Sequence, residues 1–377
     1  MGLPFLQTKN KNIMNTAERI IKPDRAGIFR TIFLYTGQGE STLLVIPNGP
    51  GKDDYLYVLV DSDRDKETNE IDLVEMFKDL FKNGGSLRAF INTHPHNDHI
   101  GGIKDVYNEI GFPEVWHSNH KAGGKHKEKY EEFNYVVDKV GKKNEYFLKG
   151  TNDLNKIRTS KDEEVIKKLG EVDYQVLSPA EYLCEDIEEG TADERDRRIH
   201  EQCGVIKFTY GRDAKSIMLT GDSDKTAWKD HITDYHKENL PAYVLSASHH
   251  GSRTFFKNDE DDTDVYEKHI EEINPTYVIV SAPKQEDSPH DHPHDDAMDL
   301  YKKHVDEDNI LHLGKNVESV IVDIDSDGNI EVMLDKDLIG EYGKGNDDDD
   351  DGDNTKKGLS AITIGSQTSR IDKKPMG

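Results

Sequence analysis

The chain has 377 residues, of which 34% are hydrophobic, and this is enough apolar material for one large core or two smaller ones without disulfides. Its two cysteines, Cys184 and Cys203, are predicted to be free thiols, because so few cysteines in a long chain are typical of a reducing compartment. The formal charge of −26 opposes nonspecific adhesion to nucleic acid or to an anionic membrane, since both need a basic face, but it does not exclude a nucleic-acid substrate.

Composition divides the chain into three parts. Residues 1–26 are predicted to be an N-terminal extension, residues 27–338 a folded domain, and residues 339–377 an acidic, flexible tail, because EYGKGNDDDDDGDNTKKG is too polar to order itself. The tail could bind a protein partner. Since no apolar segment has the length of a membrane span, we predict a cytoplasmic protein without membrane insertion.

The folded part begins with strand patterns and then a helix. GIFRTIFLYTG, TLLVIP and DDYLYVLVDSD are apolar strands, and GQGES between the first two is a glycine-rich turn. IDLVEMFKDLFKNGG predicts an amphipathic helix that stops at Gly84 and Gly85. LRAFINT and PEVWHS are short strands, and the charged region from Lys121 to Lys168 is predicted to be mostly helical.

Strand patterns return in the second half of the chain. They are YQVLSP, GVIKFTYG, SIMLTGD, YVLSASHHG and TYVIVSAP, and AMDLYKKHV is a helix near the end. VESVIVDIDSDGNIEVMLD predicts a hairpin with its turn at residues 327–329. Two sets of strands separated by helices indicate an α/β fold in which helices cover sheet layers.

A cluster of potential metal ligands follows the strand LRAFINT. His94, His96, Asp98 and His99 offer four ligands within six positions. In an extended loop His94 and His96 face one way, and a bend at Asp98 and His99 presents two more ligands to a neighbouring position. Imidazole nitrogen with carboxylate oxygen suits zinc, with manganese or iron as alternatives. The motif predicts two adjacent metal ions, and a merely histidine-rich loop is the simpler alternative.

From about Gly27 to Leu334 the chain resembles the metallo-β-lactamase superfamily. Within it, the chain is similar to the branch typified by the hydrolase domain of the DNA-uptake protein ComEC and by phosphorylcholine esterases. The motifs that carry this resemblance are GQGES at Gly37–Ser41, Asp61 in LVDSD, THPHNDHIGG at Thr93–Gly102, Asp222 in LTGDSD, SHHGS at Ser248–Ser252 and HDHPH at His290–His294. The resemblance implies the four-layer αββα metallo-β-lactamase sandwich.

The resemblance also implies a set of metal ligands. The first ion would be held by His94, His96, His200 and Asp222. The second would be held by Asp98, His99, Asp222 and His292, with His290 and His294 competing for the place of His292. Asp61 would orient a ligating histidine through its second ring nitrogen.

Two adjacent cations predict hydrolysis. Water held between two Zn²⁺ ions, or two Mn²⁺ or Fe²⁺ ions, loses a proton near neutral pH and becomes the nucleophile, while the ions neutralise charge on the substrate oxygens. His249 or His250 would hydrogen-bond a substrate oxygen or protonate the leaving group, and we group Asp98 with them as a catalytic residue.

Three functions fit these residues. The HHGS motif favours a phosphodiesterase or nuclease acting on an anionic substrate such as DNA, RNA or a small phosphodiester. The same metal pair polarises a carbonyl as readily, so a carboxyl ester, lactone, thioester or peptide hydrolase is the alternative. The third is a metal-stabilised interaction module without catalysis.

One basic segment falls outside these motifs. HKAGGKHKEK, from His120 to Lys129, could meet an anionic substrate, although a run of charges is usually a solvated face. Cys203 lies near the proposed site in sequence and is predicted to be inert packing.

Overall fold

The computed structural model of the protein describes residues 14–51, 53–64 and 70–343. The strands of the described residues are β1 (Ile28–Phe33), β2 (Thr42–Pro47), β3 (Tyr55–Val60), β4 (Ala89–Asn92), β5 (Val115–His117), β6 (Glu145–Phe147), β7 (Lys156–Thr159), β8 (Glu164–Ile166), β9 (Asp173–Ser178), β10 (Val205–Tyr210), β11 (Lys215–Leu219), β12 (Val244–Ser246), β13 (Tyr277–Val280), β14 (Ile310–His312), β15 (Ser319–Asp325) and β16 (Ile330–Asp335). The α-helices are α1 (Thr16–Ile21), α2 (Leu73–Leu80), α3 (Asn97–Ile100), α4 (Ile103–Glu109), α5 (Lys127–Val140), α6 (Glu181–Glu189), α7 (Ala192–Arg197), α8 (Lys268–Ile273), α9 (Asp295–His304), α10 (Leu313–Asn316) and α11 (Asp337–Tyr342). Short 3₁₀ or π-helical turns lie at Gly124–His126, Ala227–Ile232, Lys237–Asn239, Ser248–Gly251, Arg253–Phe255, Gln285–Asp287 and Glu307–Asn309.

The described strands form two sheets that pack face to face. One has the order β16-β15-β1-β2-β3-β4-β5-β6-β7-β8 and the other the order β14-β13-β12-β11-β10-β9. Apolar side chains from both fill the space between them, among them Phe29, Leu44, Phe208 and Ile279. Helices α1, α2, α4 and α5 cover the outer face of the first sheet, and α8 and α9 cover that of the second. The predicted four-layer αββα sandwich is confirmed.

Local sequence explains why the first sheet and its helices form. Every residue of β1 and β2 is buried, as expected for strands packed on both faces, whose sequences are continuous apolar runs. The carboxylate of Asp72 accepts hydrogen bonds from the N–H groups of Val74 and Glu75 and so caps α2. Gly84 and Gly85, both at φ +105°, follow the helix, so the predicted amphipathic helix and its glycine stop are confirmed.

The prediction of a mostly helical region from Lys121 to Lys168 is wrong. Helix α5 occupies only Lys127–Val140, and β6, β7 and β8 then extend the first sheet. These strands lie at the sheet edge with most side chains partly or fully exposed, so they carry charges where a buried strand would carry apolar residues. Lys156 and Arg158 of β7 both pair with Glu164 of β8, at 2.7 and 3.0 Å.

Both ends of the described chain pack on α2. Helix α1 lies within the predicted N-terminal extension, and its Ala17 N–H donates to Asp79 at 3.0 Å. The hydroxyl of Tyr342 in α11 donates to the same carboxylate at 2.7 Å, so regular structure continues past residue 338, where the sequence places the start of the tail. The acidic run of that tail lies outside the described residues. None of the helices that the structure describes is long and apolar enough to span a membrane.

The topology gathers several strand ends at one edge of the sandwich. Strands β3, β4 and β5 are parallel neighbours, and so are β11, β12 and β13. Their carboxyl ends therefore point the same way within each sheet, which is where open α/β sheets place their sites. Strand β10 is antiparallel to β11, so the segment that precedes β10 arrives at the same edge as the segment that follows β11.

A buried ion pair joins the first sheet to α1. Arg30 of β1 makes two hydrogen bonds of 2.7 Å to the carboxylate of Asp323 on β15. Its remaining nitrogen donates to the carbonyl of Ile20 at 2.8 Å, near the end of α1. Arg30 is only 9% exposed, so removal of its partner would leave an uncompensated charge in the interior.

We expect Asp323→Ala to lower the free energy of unfolding by about 3 kcal/mol, because a buried charge that loses its partner is strongly destabilising. Urea unfolding of the full chain measures the change. Asp327→Ala is the control, since Asp327 pairs with Arg212 in a turn where both side chains are more than half exposed, and it should change stability by less than about 0.5 kcal/mol. Equal losses in the two variants would contradict the role given to Arg30.

Candidate metal centre

The side chains of the candidate site come from the ends of strands in both sheets. Asp61 follows β3, His94 follows β4, Asp222 follows β11, and His249 and His250 follow β12. The loop of Asp222 passes directly over Thr93. At Gly221, where φ is +46°, a Cβ would lie 2.6 Å from Thr93 Oγ1, so this close approach of the two sheets requires glycine.

Four side chains form what we call the first ligand group: His94, His96, His200 and Asp222. One ligand atom from each lies within 4.8 Å of the others. His94 Nε2 is 3.5 Å and His200 Nε2 is 3.8 Å from Asp222 Oδ2, and His200 Nε2 is 3.3 Å from His96 Nδ1. His200, which the resemblance implied as a ligand, thus lies with the other three.

The second ligand group comprises Asp98, His99, Asp222 and His250. His99 Nε2 lies 3.1 Å from Asp222 Oδ1, the oxygen that faces away from the first group. His250 Nε2 lies 3.6 Å from the same oxygen and 3.5 Å from Asp98 Oδ2. Asp222 therefore presents one carboxylate oxygen to each group.

The residues present fit divalent metal ions. Ligands about 2.0–2.1 Å from a tetrahedral zinc lie about 3.3 Å from one another, close to the distances within both groups. His94 Nε2 and both carboxylate oxygens of Asp222 are buried and have no hydrogen-bond partner among the described residues. Buried polar atoms are normally satisfied, so these atoms are explained by a ligand that they would share.

His292, which the resemblance implied as a ligand of the second ion, lies outside both ligand groups as defined above. The structure brings His250 into the second ligand group, and His292 lies behind it with the two ring centroids 6.0 Å apart. The ring of His292 contacts the side-chain amide of Gln38 at 3.3 Å. The physical reason is the backbone: His250 has φ +57° and ψ +27°, a left-handed conformation that turns its ring toward Asp98.

The two histidines that flank His292 do not enter either ligand group. The Nδ1 atom of His294 accepts a hydrogen bond from the Arg253 N–H at 3.1 Å, just before α9. The ring of His290 lies 5.8 Å from that of His292.

Asp61 fixes the loop that carries the ligands. Its carboxylate accepts hydrogen bonds from the Thr93 N–H at 2.8 Å, the Thr93 hydroxyl at 2.6 Å and the Asn92 amide at 3.0 Å. The same carboxylate is 2.8 Å from His99 Nδ1. Because the carboxylate accepts a hydrogen bond from Nδ1–H, Nε2 of His99 is left to face Asp222.

Burial and charge set the protonation of the site. Burial would raise the pKa of Asp222, but the surrounding imidazoles outweigh it and hold this pKa well below its usual range. Burial would lower the pKa of His250, yet the carboxylates of Asp222 and Asp98 raise it to about 9. The carboxylates of Asp222 and Asp61 likewise outweigh burial and raise the pKa of His99 well above its ordinary value. In the metal-free centre, the protonated rings of His99 and His250 thus neutralise the carboxylates beside them. A bound cation would replace those protons.

His249 lies beside the ligand groups without belonging to either. Its Nε2 is 3.5 Å from Asp222 Oδ2, and its Nδ1 contacts the Thr254 hydroxyl at 2.9 Å. The side chain of His249 is 19% exposed, whereas that of His250 is 1% exposed. Of the two neighbours in SHHGS, only His249 is therefore open to a molecule that enters from solvent.

Sequence reasoning missed two residues at the site. Glu40 forms a third group with Asp61 and His99, and burial raises its pKa to about 7. Its place in GQGES, which we took only as a turn, was the available signal. His126 stacks on His96 with the ring centroids 4.0 Å apart, and the basic segment that contains it was the signal there.

Cys203 is buried against the first ligand group. Its sulfur accepts a hydrogen bond from the Asp222 N–H at 3.2 Å and lies 3.6 Å from His94 Nδ1. Burial raises the pKa of this thiol well above its ordinary value, so it stays protonated at neutral pH.

Several solved structures resemble the chain at low sequence identity. The metallo hydrolase Igni18 from Ignicoccus hospitalis is 12% identical with a TM-score of 0.41, over 78% of this chain and 98% of that chain. Yeast PDE1 is 10% identical with a TM-score of 0.40, over 76% of this chain and 97% of that chain. The short form of human tRNase Z is 11% identical with a TM-score of 0.32, over 67% and 92%. Comparison with curated proteins gives no match.

A family model gives the more direct comparison. The model described as metallo-beta-lactamase superfamily matches residues 49–184. This range includes Asp61 and the loop with His94, His96, Asp98 and His99, and it ends before His200. Residues 49–184 are thus similar to the metallo-beta-lactamase superfamily.

Proposed function

We propose that the protein is a hydrolase that holds two divalent metal ions, zinc in the first instance, and cuts phosphodiesters. The observation that carries this proposal is the carboxylate of Asp222, buried and without hydrogen-bond partners among the described residues, with each oxygen facing a separate ligand group. A carboxylate so placed suits a bridge between two cations. Mn²⁺ or Fe²⁺ would suit the same nitrogen and oxygen ligands.

The choice of a phosphodiester rests on sequence. SHHGS and the accompanying motifs resemble the branch typified by the ComEC hydrolase domain and phosphorylcholine esterases. Two cations about four ångströms apart supply, when bound, charge neutralisation at the phosphoryl oxygens and acidification of water. Nothing in the ligand groups excludes a carbonyl substrate, so esters and lactones enter the test as competing substrates.

Each residue near the proposed metals has a distinct task. Asp61 orients His99, and the left-handed backbone at His249 and His250 directs one ring inward and leaves the other near the opening. His249 is the residue placed to donate a hydrogen bond to a phosphoryl oxygen, because burial holds its pKa well below its ordinary value and leaves a neutral ring with one N–H. Asp98, whose pKa is held well below its usual range by His250 and His99 despite burial, stays ionised and can accept a hydrogen bond from an entering water.

We expect the purified, zinc-loaded protein to hydrolyse bis-p-nitrophenyl phosphate and single-stranded DNA, and Asp98→Ala to lose this activity at least about 100-fold, since it removes a ligand of the second group. Release of p-nitrophenol and a gel assay measure the two reactions. Asp105→Ala in α4 is the control, because this exposed carboxylate pairs with Arg64 and belongs to neither ligand group. Hydrolysis of p-nitrophenyl acetate but of neither phosphodiester would overturn the proposal in favour of carbonyl chemistry.

Substitutions of the two histidines of SHHGS should have different effects on activity and on zinc content. His249→Ala should lower kcat about 100-fold or more with the zinc content unchanged, because His249 contacts the substrate and not a metal in this proposal. His250→Ala should lower the zinc content itself, because it removes a ligand of the second group. Elemental analysis beside steady-state kinetics makes the distinction, and full zinc content in His250→Ala would return the ligand role to His292.

Metal binding should depend on pH in a definite direction. A cation binds only the deprotonated ring of His250, whose pKa is about 9, so zinc affinity should rise about tenfold per pH unit for each proton displaced, up to that value. The raised pKa also means that His250 stabilises the metal-free protein fully below pH 6.5 and that this contribution is lost as the pH rises through about 9.

Titration against a competing chelator between about pH 6 and pH 9 measures the zinc affinity, and thermal unfolding of the metal-free protein over the same range measures the stability. His250→Gln is the matched variant, because it cannot hold the extra proton, and its zinc affinity should rise less steeply with pH. Affinity that is independent of pH in the unmodified protein would contradict the protonation given for the centre.

A further inference from the structure

A cavity of about 350 Å³ opens beside the first ligand group. His96 and His200 line one end of it, and Lys125, His126 and Arg197 line the other. We call it the side pocket. Its outer wall belongs to the basic segment His120–Lys129 and to the end of α7, none of which takes part in the proposed metal centre.

His126, which lines the side pocket, has one ring nitrogen fixed as a hydrogen-bond donor. Its ring stacks on His96 with the planes 17° apart, and its Nδ1 accepts a hydrogen bond from the Asn97 N–H at 3.3 Å. An accepting Nδ1 carries no proton, so the proton of the neutral ring is on Nε2. Since the Asn97 bond and the stacking fix the ring, Nε2–H is a donor held in place at the edge of the site.

The charges of the side pocket differ from those of a solvated basic face. Lys121, Lys127 and Lys129 of the same segment each pair with a glutamate, at 3.5, 3.7 and 3.1 Å. Lys125 and Arg197 are exposed and make no ion pair with any residue that the structure describes. The side pocket is thus lined by two cations, Lys125 and Arg197, that have no ion-pair partner among the described residues.

One acidic residue, Asp196, also lines the side pocket. Two cations and a fixed N–H donor therefore face a single carboxylate, in a protein whose formal charge is −26. Positive charge confined to this pocket, on a chain that is otherwise acidic, favours the binding of an anion in the pocket.

We propose that the side pocket binds a second phosphate group of the substrate, next to the phosphate that is cut. This inference rests on the proposed function and narrows it to substrates with successive phosphates, that is, dinucleotides with a terminal phosphate and oligonucleotides. Arginine, lysine and an imidazole N–H are suited to phosphate oxygens, and the His126 ring lies only one side chain from the first ligand group.

The test compares two thymidine dinucleotides, TpT with one phosphate and pTpT with an additional 5′ phosphate. The zinc-loaded protein should show a KM for pTpT about tenfold below that for TpT, with similar kcat, since each charge-assisted contact favours only the longer anion. Lys125→Ala/Arg197→Ala should reduce this preference to within about twofold. His126→Phe, which keeps the stacked ring but has no N–H, should weaken it, and His126→Gln, which restores a donor, should recover part of it.

Lys127→Ala is the matched control, because it removes a lysine of the same segment that pairs with Glu131, and it should leave the preference unchanged. Zinc content and thermal unfolding of every variant verify that the centre and the fold remain. Equal KM values for TpT and pTpT in the unmodified protein would overturn the proposal that the side pocket binds a second phosphate. A preference for pTpT that survives in Lys125→Ala/Arg197→Ala would overturn it as well.

Calorimetric binding of the same dinucleotides to Asp98→Ala separates this proposal from the proposed function. If neither dinucleotide is cleaved by the unmodified protein, yet pTpT binds about tenfold more tightly than TpT and Arg197→Ala abolishes the difference, the side pocket stands and the proposed hydrolysis fails. If both are cleaved and bind with equal affinity, hydrolysis stands and the side pocket fails.

Discussion

The buried carboxylate of Asp222 is the constraint on which the rest of the site depends. It lies in the seam between the two sheets, where solvent cannot satisfy it, and a buried anion is tolerated only when positive groups surround it. Imidazoles from both sheets approach it from two sides, each oxygen facing a different set. The separation of those two sets, more than any single histidine, is what supports the proposal of two metal ions.

The sandwich supplies this arrangement because of how its strands run. Parallel neighbours in each sheet end at a common edge, so Asp61 and His94 from one sheet meet Asp222 and His250 from the other. The packed apolar layer between the sheets then fixes the distance between the two loops. Gly221 is the point of closest approach, and the shape of the site is therefore a consequence of core packing as much as of the ligands themselves.

How much of this could be predicted from sequence differs between the parts of the molecule. The strands around β1, the helix α2 and the ligand loop after β4 can be predicted from local patterns. Burial on both faces, helix capping and ligand spacing each depend on a few adjacent residues. The edge strands β6 to β8 could not be recognised, since a strand exposed on its faces lacks the apolar alternation that identifies one. The place of His250 in the second ligand group could not be recognised for another reason. It depends on two successive residues in the left-handed region, where side-chain direction no longer follows from position in the sequence.

The charge of the protein poses a final question, which is how an acidic chain would take an acidic substrate. Its acidic residues outnumber its lysines and arginines by 75 to 49, so the long-range field is negative, but the local field depends on which cations are left unpaired. Around the centre those are Lys125 and Arg197, and the metals of the proposed function would add to them. A phosphate that reaches the site would thus meet positive charge only within a few ångströms of the groups that act on it. Such an arrangement favours selectivity over general affinity. The acidic surface repels anions in general, and only a substrate whose anionic groups reach the local positive charges is attracted.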